Sequence, residues 1–371
     1  MGYNRIRGSV PTIMALLFVD GFDHYDDTRL VLKWDAKGGV GVTTPTVVAG
    51  VGRCATQAVG LYDSFNYIQK SFPGGPASTF SAGVAYNPTN GTIVAPNIII
   101  GFKTNTHILC GVAVSSTQQL FAFTGNSEGS VQVLGYAATP IRSGVFQYVE
   151  VHVDGISDTT GNIAVYLNGV QEINLTNVET SGVTLNGVSY DHAEAFTLGS
   201  RATYVRTDYL GVIYFDDFYF TDSTGLYNTG ILGDVHIEEL TPNADGFYQD
   251  WTALLAGSHY VEVDEIPPDD DASYVHGSVV GNKDTYTYPS ITPTTGTVLA
   301  CVVNFYCTKV TSGSRAVRAI TRLGGVDGSG TEFLVGNAYA IHQSIAERDP
   351  NDDAWTISNV NASEAGPEIT F

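Results

Sequence analysis

Apolar and polar side chains alternate along most of this chain. In residues 146–153 (FQYVEVHV), Val149, Val151 and Val153 fall on one face and Phe146, Tyr148, Glu150 and His152 on the other, the period of an extended strand with two distinct sides. Short runs of the same kind recur from residue 15 onward: MALLFVDGFDHY, LVLKWD, TIVAPNIIIGFK, HILCGVAVSS, QLFAFTG, VQVLGYA, NIAVYLNGVQEINL, FTLGS and GVIYFDDFYFTD. Asn168-Gly169, between IAVYL and VQEINL, predicts a two-residue hairpin, because such a turn needs positive φ at both central positions. No amphipathic helix longer than two turns is predicted in this half.

The pattern changes after residue 228. TPNADGFYQDW and DEIPPDDDASY are acidic and proline-containing, which predicts surface loops lying against another part of the molecule. Strands return in TVLACVVNFYCTKV, RAVRAITRLGG, TEFLVG and AYAIHQSIAE, and WTISNVNASEAGPEITF predicts a short helical turn and a terminal strand. Arg315, Arg318 and Arg322 fall near helical spacing, but the alternation around them and the flanking glycines favour a strand. Residues 1–13 are polar, lack periodicity and predict an arm that orders against a neighbour. The expected organisation is therefore an N-terminal arm (1–13), a first β domain (14–228) and a C-terminal β domain (229–371).

At 371 residues, each half is long enough to bury a core of its own. With 41 Gly, 21 Tyr and 17 Phe, the composition favours strands and tight turns over helices. The net charge of −21 repels a phosphate backbone, so nucleic acid is not an expected partner. No run approaches the roughly 20 apolar residues that cross a bilayer, and no membrane insertion is expected. Arg5 and Arg7 precede an apolar run, yet Pro11 and Asp20 do not suit a cleaved leader, and a buried first strand is the better reading.

Cys54, Cys110, Cys301 and Cys307 have no metal-site spacing. On one strand, Cys301 and Cys307 would stand about 20 Å apart, too far for a disulfide. All four are expected as small buried hydrophobes of a reducing cytoplasm. A glycoside hydrolase needs two carboxylates facing across a cleft. The nearest candidate is Glu262-Val263-Asp264-Glu265, where a strand would put Glu262 and Asp264 on one face and Glu265 on the other. A solvated acidic strand end is the simpler account. The eight histidines, 24, 107, 152, 192, 236, 259, 276 and 342, have no nucleophile motif beside them. His152 shares a face with Glu150, which suits a structural pairing.

MALLFVDGFDHYDD, YVEVHVDG, GNIAVYLNGV and IYFDDFYFTD together resemble the laminin-G/concanavalin-A-like jelly-roll domains found in many phage structural proteins. The second half resembles the companion β domain of such proteins, through Gly233-Asp234-Val235, Pro242, Gly246, Trp251, Val263-Asp264-Glu265, Pro267-Pro268, Asp271, Tyr274-Val275, Gly281, Ala354-Trp355-Thr356 and Val360-Asn361. The resemblance covers nearly all of residues 14–366. It implies an all-β fold: a concanavalin-A/laminin-G-like antiparallel jelly-roll sandwich followed by a second β-sandwich-like domain.

It also implies a non-enzymatic structural protein on the exterior of a tailed-phage virion, made in the bacterial host cytoplasm. A head decoration, a tail surface protein and a fibre-like component are all open, and the expected partners are other virion proteins and further copies of the chain. The alternative is a carbohydrate-binding host-adhesion protein, for which exposed aromatic platforms are needed; Tyr62, Phe65, Tyr67 and Tyr204 stand in loop-like contexts. Trp34, Trp251 and Trp355 fit core or interdomain anchors as well. Related jelly rolls often hold calcium between their first and last strands. The resemblance makes Asp20, Asp23 and Asp217 the candidate ligands, although each is equally a turn former.

Overall fold

The computed structural model describes residues 15–39, 43–62, 66–89, 97–125, 130–199, 211–255, 257–291 and 294–371. The expected N-terminal arm, Phe65 and Tyr204 lie outside these residues.

The fold is all-β, as the alternation predicts, and its first part is two antiparallel sheets face to face. One sheet has eight strands, ordered Val170–Val178, Gly161–Leu167, Gln147–Asp154, Thr79–Pro88, Ile213–Asp222, Gln57–Leu61, Thr46–Ala49, with the first strand, Leu16–Asp20, also pairing Ile213–Asp222. The other has seven, ordered Val131–Pro140, Gln119–Gly125, Ile108–Val114, Asn97–Lys103, Ala195–Gly199, Tyr67–Ser71, Ala36–Gly38. Between them lies a core in which Trp34, Phe72, Phe80, Phe102, Phe196, Phe215, Phe218 and Phe220 are fully or almost fully buried. Val149, Val151 and Val153 enter this core. The hairpin forms at the predicted place: Asn168 (φ 51°) and Gly169 (φ 77°) turn the chain, and the Asn168 Oδ1 accepts the Tyr148 N–H at 2.8 Å.

The second part has one five-stranded sheet, Ala244–Gln249, Asp284–Thr287, Glu364–Ile369, Ala316–Leu323, Val326–Leu334, and two ribbons, Cys301–Cys307 with Ala340–Ala346 and Thr252–Ala253 with Val275–His276. Arg318 and Arg322 are on a strand, and the predicted helical turn is Ile357–Asn361.

Much of its apolar surface is spent on the first part. Leu232, Val235, Ile237, Ala300, Val302 and Ile345 pack on Leu16, Val19, Ala85, Tyr148 and Tyr219, which point outward from the eight-stranded sheet. The proline-rich acidic loop also lies against its neighbours: Asp270 accepts Arg29 Nη2 at 3.0 Å, and Asp271 accepts the Tyr339 hydroxyl at 2.7 Å. All four cysteines are free; Cys110 is buried and Cys301 and Cys307 are half-buried. Cys54 departs from expectation and is exposed, because it sits at positive φ (58°) in a tight turn rather than on a strand.

Among the described residues, no helix is long and apolar enough to cross a membrane.

Candidate functional site

Chain geometry at the end of the first strand gathers the charged groups. Asp20 is 1 % exposed, and both its oxygens are filled by protein donors. Oδ1 accepts Lys33 Nζ at 3.1 Å and the Phe22 N–H at 3.0 Å; Oδ2 accepts the Tyr25 hydroxyl at 2.5 Å and Trp34 Nε1 at 2.6 Å. Phe22 at φ 60° makes the tight turn after the strand, and the short helix Leu30–Lys33 delivers Lys33. The Lys33 ammonium also donates to His24 Nε2 at 3.1 Å, and His24 Nδ1 lies 3.6 Å from Glu239 Oε2. Burial, with the Lys33 charge beside it, holds His24 down at about 3, and burial lifts Glu239 to about 7.

A second carboxylate group surrounds the bulge at residues 216–219. Asp217 (φ 48°) accepts Arg53 Nη1 at 2.9 Å, the Ile237 N–H at 2.8 Å, and stands 3.1 Å from His236 Nδ1. Asp216 accepts the backbone N–H groups of Arg53 and Asp217, and burial with the Asp217 charge pushes it up to about 9. Asp23 accepts the Gln57 N–H at 2.6 Å, and burial lifts it to about 6.

Two of the three aspartates named as calcium ligands, Asp20 and Asp217, are therefore taken up by protein cations and donors. Asp20 faces an ammonium and Asp217 a guanidinium, where a cation site needs free carboxylate oxygens. Among the described residues, no group of three or more His, Cys, Asp and Glu is placed to hold a metal ion. The sequence reading missed these partners because Lys33, Arg53 and His236 come from turns and a one-turn helix with no strand periodicity.

Glu150 is fully buried on the outward side of the eight-stranded sheet, accepting the Tyr219 hydroxyl at 2.6 Å and the Gly233 N–H at 2.8 Å. Burial raises its pKa. His152, two residues on, pairs with the Ser81 hydroxyl at 2.8 Å rather than with Glu150. Glu262 lies in the 3₁₀ turn His259–Glu262, buried, accepting the Leu255 and Tyr274 N–H groups, and Glu265 accepts the Ser273 hydroxyl. These acids hold loops together, and the strand assumed for them is absent.

The two described aromatic candidates for a glycan platform are separated. Tyr62 folds over Gly60 on the outer side of the eight-stranded sheet, its hydroxyl 3.0 Å from Thr46 Oγ1. Tyr67 lies on the outer side of the seven-stranded sheet, with its ring over Gly38: a Cβ there would sit 2.8 Å from Tyr67 Cε1. Glycine at position 38 is thus what lets the ring lie flat on the neighbouring strand.

Strand pairing puts Gln69, Thr197 and Gly101 in one cross-strand row beside Tyr67, and Ser71, Ala195 and Lys103 in the next. Lys103 donates to Gln69 Oε1 at 2.7 Å. Further along the same side, Ile98, Ile108, Ala113, Phe121 and Phe123 form a separate apolar cluster. On this face the Tyr67 ring and the Gln69 amide are half-buried, whereas Thr197, whose hydroxyl donates to the Ile68 carbonyl, and Lys103 are almost wholly buried.

No protein-family model matches this chain, and no curated protein matches it. Among solved structures it is similar to the endo-β-1,4-glucuronan lyase of the fungus Trichoderma reesei (14 % identity, 56 % of this chain and 95 % of that one, TM-score 0.42). It is also similar to an alginate lyase from Aplysia kurodai (8 % identity, 56 % and 100 %, TM-score 0.43) and to the carbohydrate-binding module CBM66 from Bacillus subtilis (11 % identity, 50 % and 95 %, TM-score 0.34). At these identities the likeness is one of fold.

One expectation is corrected here. The chain was expected to be non-enzymatic, from its resemblance to phage structural proteins and from the lack of a hydrolase's paired carboxylates. With lyases among the similar structures, that absence no longer argues against catalysis, since a hydrolase's acid pair is not a test for lyase chemistry.

Proposed function

We propose that this chain is a carbohydrate-engaging β-sandwich protein of a phage particle's exterior, gripping a saccharide on the outer face of its seven-stranded sheet. The observation that carries the reading is the half-buried Tyr67 ring lying over Gly38, with the half-buried Gln69 amide two residues on along the same face of its strand. A pyranose offers an apolar C–H face and a rim of hydroxyls, which an aromatic ring beside an amide complements. The sequence resemblance to phage surface proteins supports the location, with other particle proteins and further copies of the chain as partners.

The test is calorimetric titration of neutral and uronate-containing oligosaccharides into the protein and its Tyr67→Ala variant. Loss of one aromatic contact, about 1 kcal/mol, predicts an affinity about fivefold lower. Sizing the oligosaccharides after incubation separates binding from processing. No binding by any saccharide, or equal binding by Tyr67→Ala, removes the reading, and absence of the chain from purified particles removes the location.

A further inference from the structure

The charged group at the end of the first strand holds more than an ion pair requires. A lysine amine and a carboxylate meet at 3.1 Å, with both side chains almost wholly removed from water. Aromatic rings enclose them: Lys33 Nζ lies 5.6 Å from the Phe18 ring centre and 6.0 Å from that of Tyr25, and Trp34 packs edge-on against Phe18. Two strong donors, Tyr25 and Trp34, converge on Oδ2 alone, while the amine faces Oδ1. Because an ammonium can only donate, His24 Nε2 must accept from Lys33, which leaves the ring proton on Nδ1, the atom facing Glu239.

We propose that Lys33 and Asp20 condense into an intramolecular isopeptide bond, with His24 and Glu239 carrying the proton. The pair starts as ammonium and carboxylate: burial acts against both charges, but Lys33, His24, Tyr25 and Trp34 together hold Asp20 ionised, so the reaction passes through the minor neutral amine and acid formed when one proton moves from Nζ to Oδ1. The Nζ lone pair attacks Cγ, and the former carbonyl electrons move onto Oδ2, where the Tyr25 hydroxyl and the Trp34 N–H stabilise the oxyanion. His24 Nε2 takes the surplus proton from nitrogen, and Nδ1 passes its own toward Glu239. When the intermediate collapses, the C–Oδ1 bond breaks, a proton returns through the same relay, and Oδ1 leaves as water. One C–N bond forms, one C–O bond breaks and one water is released, with no oxidant or cofactor. Burial lowers Lys33 and raises Glu239 to about 7, so the amine is made nucleophilic beside a group able to take and return a proton near neutrality.

The test is intact-mass measurement and peptide mapping of the folded wild-type chain. Expected are a mass lower by one water, no cleavage after Lys33 by a lysine-specific protease, and a branched peptide joining the segments around Asp20 and Lys33. Asp20 precedes Gly21, and an Asp-Gly step can lose water by cyclising on its own backbone. Hydroxylamine distinguishes the two, since it opens the cyclic imide at Asp20 and leaves the amide intact. Lys33→Arg should restore the full mass. Glu239→Gln, outside the bond itself, should fold and slow formation at least tenfold.

A folded wild-type chain with a free, cleavable Lys33, or a water loss that hydroxylamine reverses, overturns the proposal. Bond formation at the wild-type rate in both Glu239→Gln and His24→Gln overturns the proton relay.

Discussion

Replacing Glu150 by alanine tests whether this carboxylate pins residues 232–233 to the sandwich. The side chain is fully buried and accepts two donors, the Tyr219 hydroxyl and the Gly233 N–H. Alanine strands both without an acceptor, at about 1–3 kcal/mol each, or about 2–6 kcal/mol together. Oε2 has no partner among the described residues, so the native carboxylate is itself incompletely satisfied and removing it returns part of that cost. The expected loss is therefore about 2–4 kcal/mol. Tyr219→Phe removes one donor and also the acceptor of the Leu232 N–H at 3.0 Å, for about 1–2 kcal/mol. In the double variant the Tyr219 donor is no longer stranded, so the combined loss should fall short of the sum by about 1–3 kcal/mol. Urea unfolding with linear extrapolation measures all four proteins, and tryptophan emission reports on both parts through Trp34, Trp251 and Trp355. Additivity within about 0.5 kcal/mol, or a Glu150→Ala loss below about 1 kcal/mol, would refute the reasoning.

Asn168→Ala should cost about 1–2 kcal/mol in thermal melts, since it removes an acceptor from the Tyr148 N–H and strains a residue at φ 51°; Asn168→Gly should cost less. His24 has a folded pKa below its ordinary 6.5, so its contribution is complete above that pH and is lost as the pH falls toward 3. His24→Gln should flatten that acid limb in a stability profile, and an unchanged slope would contradict the assignment. Glu239 has the opposite sign: its folded pKa is raised from 4.5 to about 7, so the stability it lends is present below 4.5 and lost as the pH climbs to about 7. Glu239→Gln should remove that decline. A chelator should leave the melting temperature unchanged, because protein donors fill the oxygens of Asp20 and Asp217; a drop of several degrees would restore the calcium reading.

Local periodicity carried most of the architecture. The split of Val149, Val151 and Val153 from Tyr148, Glu150 and His152 is the split between core and outer face, and Asn168-Gly169 makes the turn that its positive φ values require. What alternation could not show is which outward faces are covered. Tyr148 and Glu150 fall on the face opposite the valines, and both are buried because residues from 232 onward lie over them. The site was legible one residue at a time and not as a constellation. Asp20 stood out as an acid at a strand end, but its partners arrive from a one-turn helix at Lys33 and from a segment more than two hundred residues away at Glu239. Tyr67 was named as an aromatic in a loop-like context, whereas it opens the strand Tyr67–Ser71. Its company was not legible, because cross-strand rows with Thr197 and Lys103 depend on sheet order, which connects strands distant in sequence.

The joint between the two parts combines apolar packing with directional bonds, and the two resist force differently. Apolar area alone tolerates sliding, whereas hydrogen bonds between buried groups fix one register. Here Gln343 both accepts from the Val19 N–H and donates to the Val19 carbonyl, Glu347 accepts the Leu16 N–H, and Asp217 accepts the Ile237 N–H. The first strand is thus bonded to Ile213–Asp222 along one edge and to the second part by side chains of the ribbon Ala340–Ala346 and its neighbour Glu347. Tension applied through the chain's beginning would load that strand first. Its backbone bonds to one neighbour would open in succession from Leu16, and Asp20 is where the peeling front would meet the sandwich core. With Asp20 joined to Lys33, tension passes from one directly to the other, because residues 20–33 become a closed loop that no unzipping of hydrogen bonds can extend. Forced unfolding of wild type and Lys33→Arg, pulled from the N-terminus, should then differ in extension by the length of that loop.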